Sequence, residues 1–185
     1  MSKAIVFCLF TAFIMPNFVL PFAPAKNVDV MKVAKDCCGP EAAECCSRAF
    51  SVLEPLRCPS LNVSQHVQAI NCAQKAVRGV KDYLKLSVND FQCCKVFGSN
   101  DNDPDNVCES RCTLALQTPT LSAHGKLERI NNCRLNLGSL PQCFNRCIHW
   151  MHSGEHRIFQ EFNFTANCNF EDRLKPGKLY IGPPI

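Results

Sequence analysis

The chain of 185 residues sets 20 lysines and arginines against 16 aspartates and glutamates, a formal net charge of +4 with no basic run, which excludes the electrostatic footprint of a nucleic-acid binder. Its 15 cysteines, six of them in the adjacent pairs Cys37-Cys38, Cys45-Cys46 and Cys93-Cys94, exclude an ordinary cytosolic protein and point to a disulfide framework. Neighbouring cysteines rarely bridge each other, because their α-carbons sit about 3.8 Å apart against the roughly 4.4–6.8 Å a bridge wants, so each pair should send its bonds to two places.

In chain order, Lys3 precedes the apolar run Ala4–Ile14, and a looser stretch ends at Ala23-Pro24-Ala25, a small-x-small cleavage site. Residues 1–25 therefore read as a secretory signal peptide. A membrane anchor is the alternative, but Pro16, Asn17, Pro21 and Pro24 interrupt the run before the roughly 20 apolar residues a span needs. Cleavage removes Cys8 and leaves fourteen cysteines, an even number that fits complete pairing. No later stretch is long and apolar enough for a membrane span, so the mature product is expected to be soluble, secreted and extracellular. In that compartment the sequons Asn62-Val63-Ser64 and Asn163-Phe164-Thr165 become candidate glycosylation sites on exposed surface.

Apolar residues then recur at helical spacing, with few alternating segments. Val28–Cys38 predicts a helix stopped by Gly39, and Pro40 suits the first position of a second helix reaching about Leu53 and ended by Pro55. Ser64 can cap a longer helix with the stripe Val67, Ile70, Val77, Val80 and Leu84, loosened near Gly79. Asn89 or Asp90 can cap a short helix through Phe97, which Gly98 terminates; a polar loop, Ser99–Asn106, follows. Asp105 or Asn106 then begins a helix that sets Cys108 and Cys112 on one face and ends at Thr118-Pro119. Ser122 starts the next, through Leu127, Ile130, Cys133 and Leu137 to Gly138. Ser139 and Gln142 form a capping-box pattern for a last helix that carries Cys143 and Cys147 and fades near Gly154. Beyond it Phe159, Phe162, Phe164 and Phe170 follow no clear period, and Pro176–Ile185 reads as a tail. Cys147 and Cys168 are the natural pair to fasten the Phe-rich segment.

The cysteines of the second half read Phe91-Gln92-Cys93-Cys94, a variable loop, Cys108, Cys112, a spacer, Cys133, nine residues, and Cys143-Phe144. This resembles the second half of the DB module, a cysteine-rich secreted domain known mainly from nematodes. Upstream Cys37, Cys38, Cys45, Cys46, Cys58 and Cys72 are similar to its first half. The resemblance covers roughly Asp36–Phe144 and implies twelve cysteines in six bridges, in an extracellular module of unestablished activity. Cys45 and Cys46 touch where the family separates them, the segment from Cys72 to Cys93 is longer than usual, and Cys147 and Cys168 lie outside the pattern.

No catalytic or metal constellation is complete. No histidine follows a cysteine pair as the general base of a secreted phospholipase would. Asp101, Asp103 and Asp105 alternate like the start of a calcium loop, but Asn106 and Cys112 stand where its glycine and glutamate belong. His149, His152 and His156 are spaced for zinc around Trp150, yet Gly154 interrupts them and no metalloprotease glutamate accompanies them; surface histidines are expected. No Cys-x-x-Cys, Gly-x-Ser-x-Gly or phosphate loop occurs.

The sequence thus predicts an all-α fold: a small disulfide-rich helical domain over residues 26–153 with an aromatic segment and irregular tail over 154–185. The expected disulfide residues are Cys37, Cys38, Cys45, Cys46, Cys58, Cys72, Cys93, Cys94, Cys108, Cys112, Cys133, Cys143, Cys147 and Cys168. The expected function is non-catalytic binding of an extracellular or cell-surface protein, with no cofactor or metal and no nucleic acid. A small carrier of lipid or another apolar ligand is the alternative. The aromatics near Trp150 and over Phe159–Phe170 fit either a binding face or, preferably, a buried core.

Overall fold

Asp29 opens the first helix by accepting from the Lys32 amide at 3.1 Å, so α1 runs Val30–Cys38 until Gly39, at φ 79°, turns the chain. The computed structural model describes residues 28–98, 105–133, 139–154 and 161–168, and every regular element among them is helical. The second helix, α2 (Ala43–Ser51), begins three residues after Pro40, because residues 40–42 form the turn that lets α2 fold back on α1. The bridge Cys38–Cys46, across a separation of only 8 residues, requires that reversal.

Asn62, two residues before the expected Ser64, starts α3 (Val63–Arg78). It accepts from Gln65 N at 2.9 Å while Gln65 Oε1 accepts from Asn62 N at 2.8 Å, a reciprocal box that Ser64 cannot match. Gly79, at φ 85°, ends α3 outright, and α4 (Val80–Tyr83) is a separate turn. Val80 and Leu84 therefore leave the predicted core stripe and stand 57% and 62% exposed.

Ser87, with Asp90 as its capping-box partner, opens a 3-10 helix, η1 (Val88–Cys94), which continues into α5 (Lys95–Gly98). Here Asp90 serves as the third residue of the box, where the sequence suggested it as the cap. The helix α6 (Val107–Leu116) follows Asn106 in the left-handed region, and Ser122 caps α7 (Ala123–Asn131) through Gly125 N at 3.1 Å. Since α7 stops at Asn131, Cys133 lies beyond it; the expected end at Leu137 and Gly138 falls outside the described residues. Pro141 sits in the first turn of α8 (Leu140–Ser153), which Gly154 closes at φ 85°. The predicted capping box does not form, because Ser139 has ψ 1° where a cap needs extended backbone. A single turn, α9 (Phe164–Asn167), is capped by Asn163.

These helices enclose two hydrophobic cores. One gathers Val33, Ala34, Phe50, Leu56, Ile70 and Ala73 from the first half of the chain, and the other Phe97, Leu116, Ile130, Phe144 and Trp150 from the second. Three disulfides staple the first, Cys37–Cys72, Cys38–Cys46 and Cys45–Cys58. Four staple the second, Cys93–Cys147, Cys94–Cys112, Cys108–Cys133 and Cys143–Cys168. Each adjacent pair sends its two bonds to different partners, and none of the seven bonds crosses between the halves.

Cys147 bonds Cys93 and Cys168 bonds Cys143, so the expected Cys147–Cys168 bridge is absent. The twelve cysteines of the DB-like pattern accordingly hold five bridges among themselves, with Cys93 and Cys143 turned outward to the two additional cysteines. The cause is helical phase. Cys143 and Cys147, one turn apart on α8, are both buried, and between them they reach η1 and the end of α9. The bridge Cys93–Cys147 closes a separation of 54 residues and so restricts the unfolded chain most, by about 4 kcal/mol on the loop-entropy estimate.

Candidate functional site

With no disulfide between them, the two stapled halves are held by the chain through α4 and by a polar seam. At its centre Lys126, buried on α7, donates through Nζ to Gln74 Oε1 at 2.6 Å and to the Leu116 carbonyl at 3.3 Å. Gln74, equally buried on α3, donates through Nε2 to the Leu86 carbonyl at 2.8 Å and to Asp82 Oδ2 at 3.3 Å. Asp82 in turn accepts from Ala123 N, at 3.0 and 3.1 Å to its two oxygens, and so sits on the first turn of α7, where a helix favours negative charge. Arg78 adds Nε to the Thr120 carbonyl at 2.7 Å, and Leu56 N reaches the Gln117 carbonyl at 3.1 Å. Burial pushes the Lys126 ammonium down to about 8, partly countered by the charges of Asp82 and Asp90. An amine so tuned has a neutral fraction near neutral pH, but no part of this residue is exposed to a ligand, so its chemistry here is to hold the seam.

Asp90 anchors a second polar node. It is 1% exposed, accepts from Ser87 N at 2.8 Å and contacts His152 Nε2 at 2.9 Å, tying η1 to α8.

The seam residues were not singled out from the sequence, although the signal was present. Lys126 lies three residues after Ala123 and four before Ile130, both buried, and Gln74 lies four after Ile70. A polar residue on the apolar phase of an amphipathic helix is such a signal.

The residues that the sequence did single out are dispersed. Trp150 and Phe162 are both 7% exposed, with ring centroids 5.6 Å apart, and Phe162 packs edge-on to Phe164 at 5.0 Å. This aromatic cluster is core, fastened by Cys143–Cys168, while Phe159 and Phe170 lie outside the described residues. His149 is exposed and His152 is engaged by Asp90, so the two do not converge on a metal; His156, Asp101 and Asp103 lie outside the described residues. Among the described residues no group of three or more His, Cys, Asp or Glu could hold a metal ion, and no helix is long and apolar enough to cross a membrane. Both sequon asparagines are helix caps: Oδ1 of Asn62 accepts from Gln65 N and Oδ1 of Asn163 from Ala166 N, each at 2.9 Å.

The family described as Caenorhabditis elegans Her-1 matches residues 26–172. A curated relative, Protein her-1 of Caenorhabditis elegans, is 29% identical over 142 residues, spanning 76% of this chain and 81% of that protein. A crystal structure of C. elegans HER-1 superimposes with a TM-score of 0.66 at 26% identity, covering 75% of this chain and 96% of that one.

Proposed function

The chain belongs to the Her-1 family, and from that premise we propose that its mature form is a secreted, disulfide-stapled extracellular module that binds another extracellular or cell-surface protein and catalyses nothing. The observation that carries this reading is the pairing of all fourteen cysteines from Cys37 to Cys168. Such density is typical of small domains in oxidising compartments, and it leaves no thiol among them for redox or metal chemistry. The family match starts at residue 26, beside the expected cleavage after Ala25, which supports processing of residues 1–25 as a signal peptide. A rigid frame lowers the ordering cost of association, as suits a binding protein. We further propose that Asn62 and Asn163 carry glycan, and that the DB-like spacing of twelve cysteines reflects a distant kinship of framework.

The carrier reading has less support. Phe97, Phe144, Ile70, Leu116 and Leu140 occupy the interior between the helices, as fully buried side chains. The test is a screen of the purified mature protein against cells that each display one extracellular domain. Saturable binding to a displayed protein, lost on trypsin treatment of the cells, supports the proposal. Binding to none, together with lipid co-purifying in a native mass spectrum, overturns it.

A further inference from the structure

Resting on the protein-binding reading, we infer that the outer face of the corner between α3 and α4 is the docking surface, and that its partner is an acidic protein segment bearing apolar side chains between carboxylates. Leu84, which caps α4, donates through its amide to the Val80 carbonyl at 2.9 Å, so these two exposed apolar residues stand one turn apart on the same side of the turn. The remaining exposed large apolar residues among those described, Met31, Val52, Val63, Phe91 and Val107, lie on or beside other elements. Lys81 and Lys85 flank the pair, both exposed and themselves one turn apart. Lys75 adds a third exposed cation, its ammonium 4.2 Å from the centroid of the Tyr83 ring.

What makes this corner more than a solvated face is that its own segment offers the lysines no free carboxylate. Residues 73–90 contain two carboxylates, and both are turned inward: Asp82 onto Ala123 N and Gln74, Asp90 onto Ser87 N and His152. A free surface helix ordinarily interleaves both signs, and like charges one turn apart are mildly destabilising. The exposed charge of this stretch is thus entirely positive around an apolar ridge, the complement of apolar side chains set between carboxylates. A second copy of this chain is a poor occupant, because a two-fold contact would bring the same lysines face to face.

The test uses the mature protein, isotope-labelled, with a short synthetic peptide of alternating glutamate and leucine as probe. Controls are the same peptide with glutamine for glutamate and phosphatidylserine-containing vesicles. Amide shifts should concentrate at residues 75–85, and affinity should fall by about tenfold in Lys81→Glu/Lys85→Glu and again in Leu84→Asp, with added salt weakening only the proteins that retain the lysines. Equal affinity for the glutamine peptide, shifts centred elsewhere, or binding of vesicles without the acidic peptide would each overturn the inference. All three substituted positions are exposed, and far-UV circular dichroism checks that the variants fold. In the cell-display screen the charge-reversal variant separates this docking face from protein binding as such. A partner that it binds as well as wild type leaves the protein-binding reading standing and removes this face; a wild-type protein without any partner removes the reading, while the peptide result still decides the face.

Discussion

Replacing Lys126 by methionine should abolish a pH dependence of stability that the seam imposes on the wild-type protein. The ordinary lysine value of 10.5 falls to about 8 in the folded state, mainly through burial, so the protonated side chain carries a cost of about 3 kcal/mol. The folded pKa lies below the unfolded one. Below pH 8 both states hold the proton and the full cost is present. Between pH 8 and 10.5 the folded protein sheds the proton while the unfolded chain keeps it, so stability rises with pH. Of that rise, about 2.5 kcal/mol falls between pH 7 and 10. Lys126→Met removes the burial cost but leaves Gln74 Oε1 and the Leu116 carbonyl without their donor, at about 1–3 kcal/mol each. At pH 7 the variant should therefore lie within about 2 kcal/mol of wild type, and by pH 10 it should have lost a further 2.5 kcal/mol or so relative to it. Guanidinium denaturation with the disulfides intact, followed by circular dichroism at both pH values, measures this. The difference between the two proteins cancels other titrating groups. Parallel stability profiles would refute the placement of Lys126 as a buried ammonium at the seam.

Asp90→Asn should lower stability by about 1–3 kcal/mol in the same denaturation assay, since one of the contacts to Ser87 N and His152 loses its acceptor. A glycosidase should increase the gel mobility of the mature protein, by less in Asn62→Ala and in Ser64→Ala than in wild type, as expected of glycan on Asn62; only Asn62→Ala should also lose the cap, at about 1 kcal/mol. Phe162→Ala should cost about 3 kcal/mol and alter the fluorescence of Trp150, the lone tryptophan, because its ring packs directly on that indole.

The fold class was legible because it depends on local signals. Gly39, Ser122, Pro141 and Gly154 each mark a helix end through their own backbone preferences, and the structure places helix boundaries there. The structure departs from the sequence pattern where two local signals compete. Ser64 and Asn62 both precede α3, and Gln65 decides for Asn62 by returning a hydrogen bond. At Gly79 the stripe Val67, Ile70, Val77 continues in phase into Val80 and Leu84, so periodicity hid a break that the backbone makes at φ 85°. Disulfide partners were not legible at all. Cys147 and Cys168 stand outside the DB-like pattern and invite pairing by elimination, whereas the rotation of α8 gives Cys147 to η1 and Cys143 to Cys168. The seam is illegible in the sequence for a related reason: Lys126 and Asp82 are 44 positions apart in the chain, and only the fold, which brings Asp82 of α4 to the first amide of α7, shows that both belong to one network around Gln74.

The helical domain is two halves, each closed by its own oxidised sulfur bonds. Digestion of the mature protein without reduction, after alkylation of any free thiol, and mass spectrometry of the linked peptides test it most directly. The expected products join Cys93 to Cys147 and Cys143 to Cys168, keep Cys37, Cys38, Cys45, Cys46, Cys58 and Cys72 linked among themselves, and carry no alkylated cysteine. A peptide joining Cys147 to Cys168, a bond from the first six cysteines to the later eight, or substantial alkylation would contradict it.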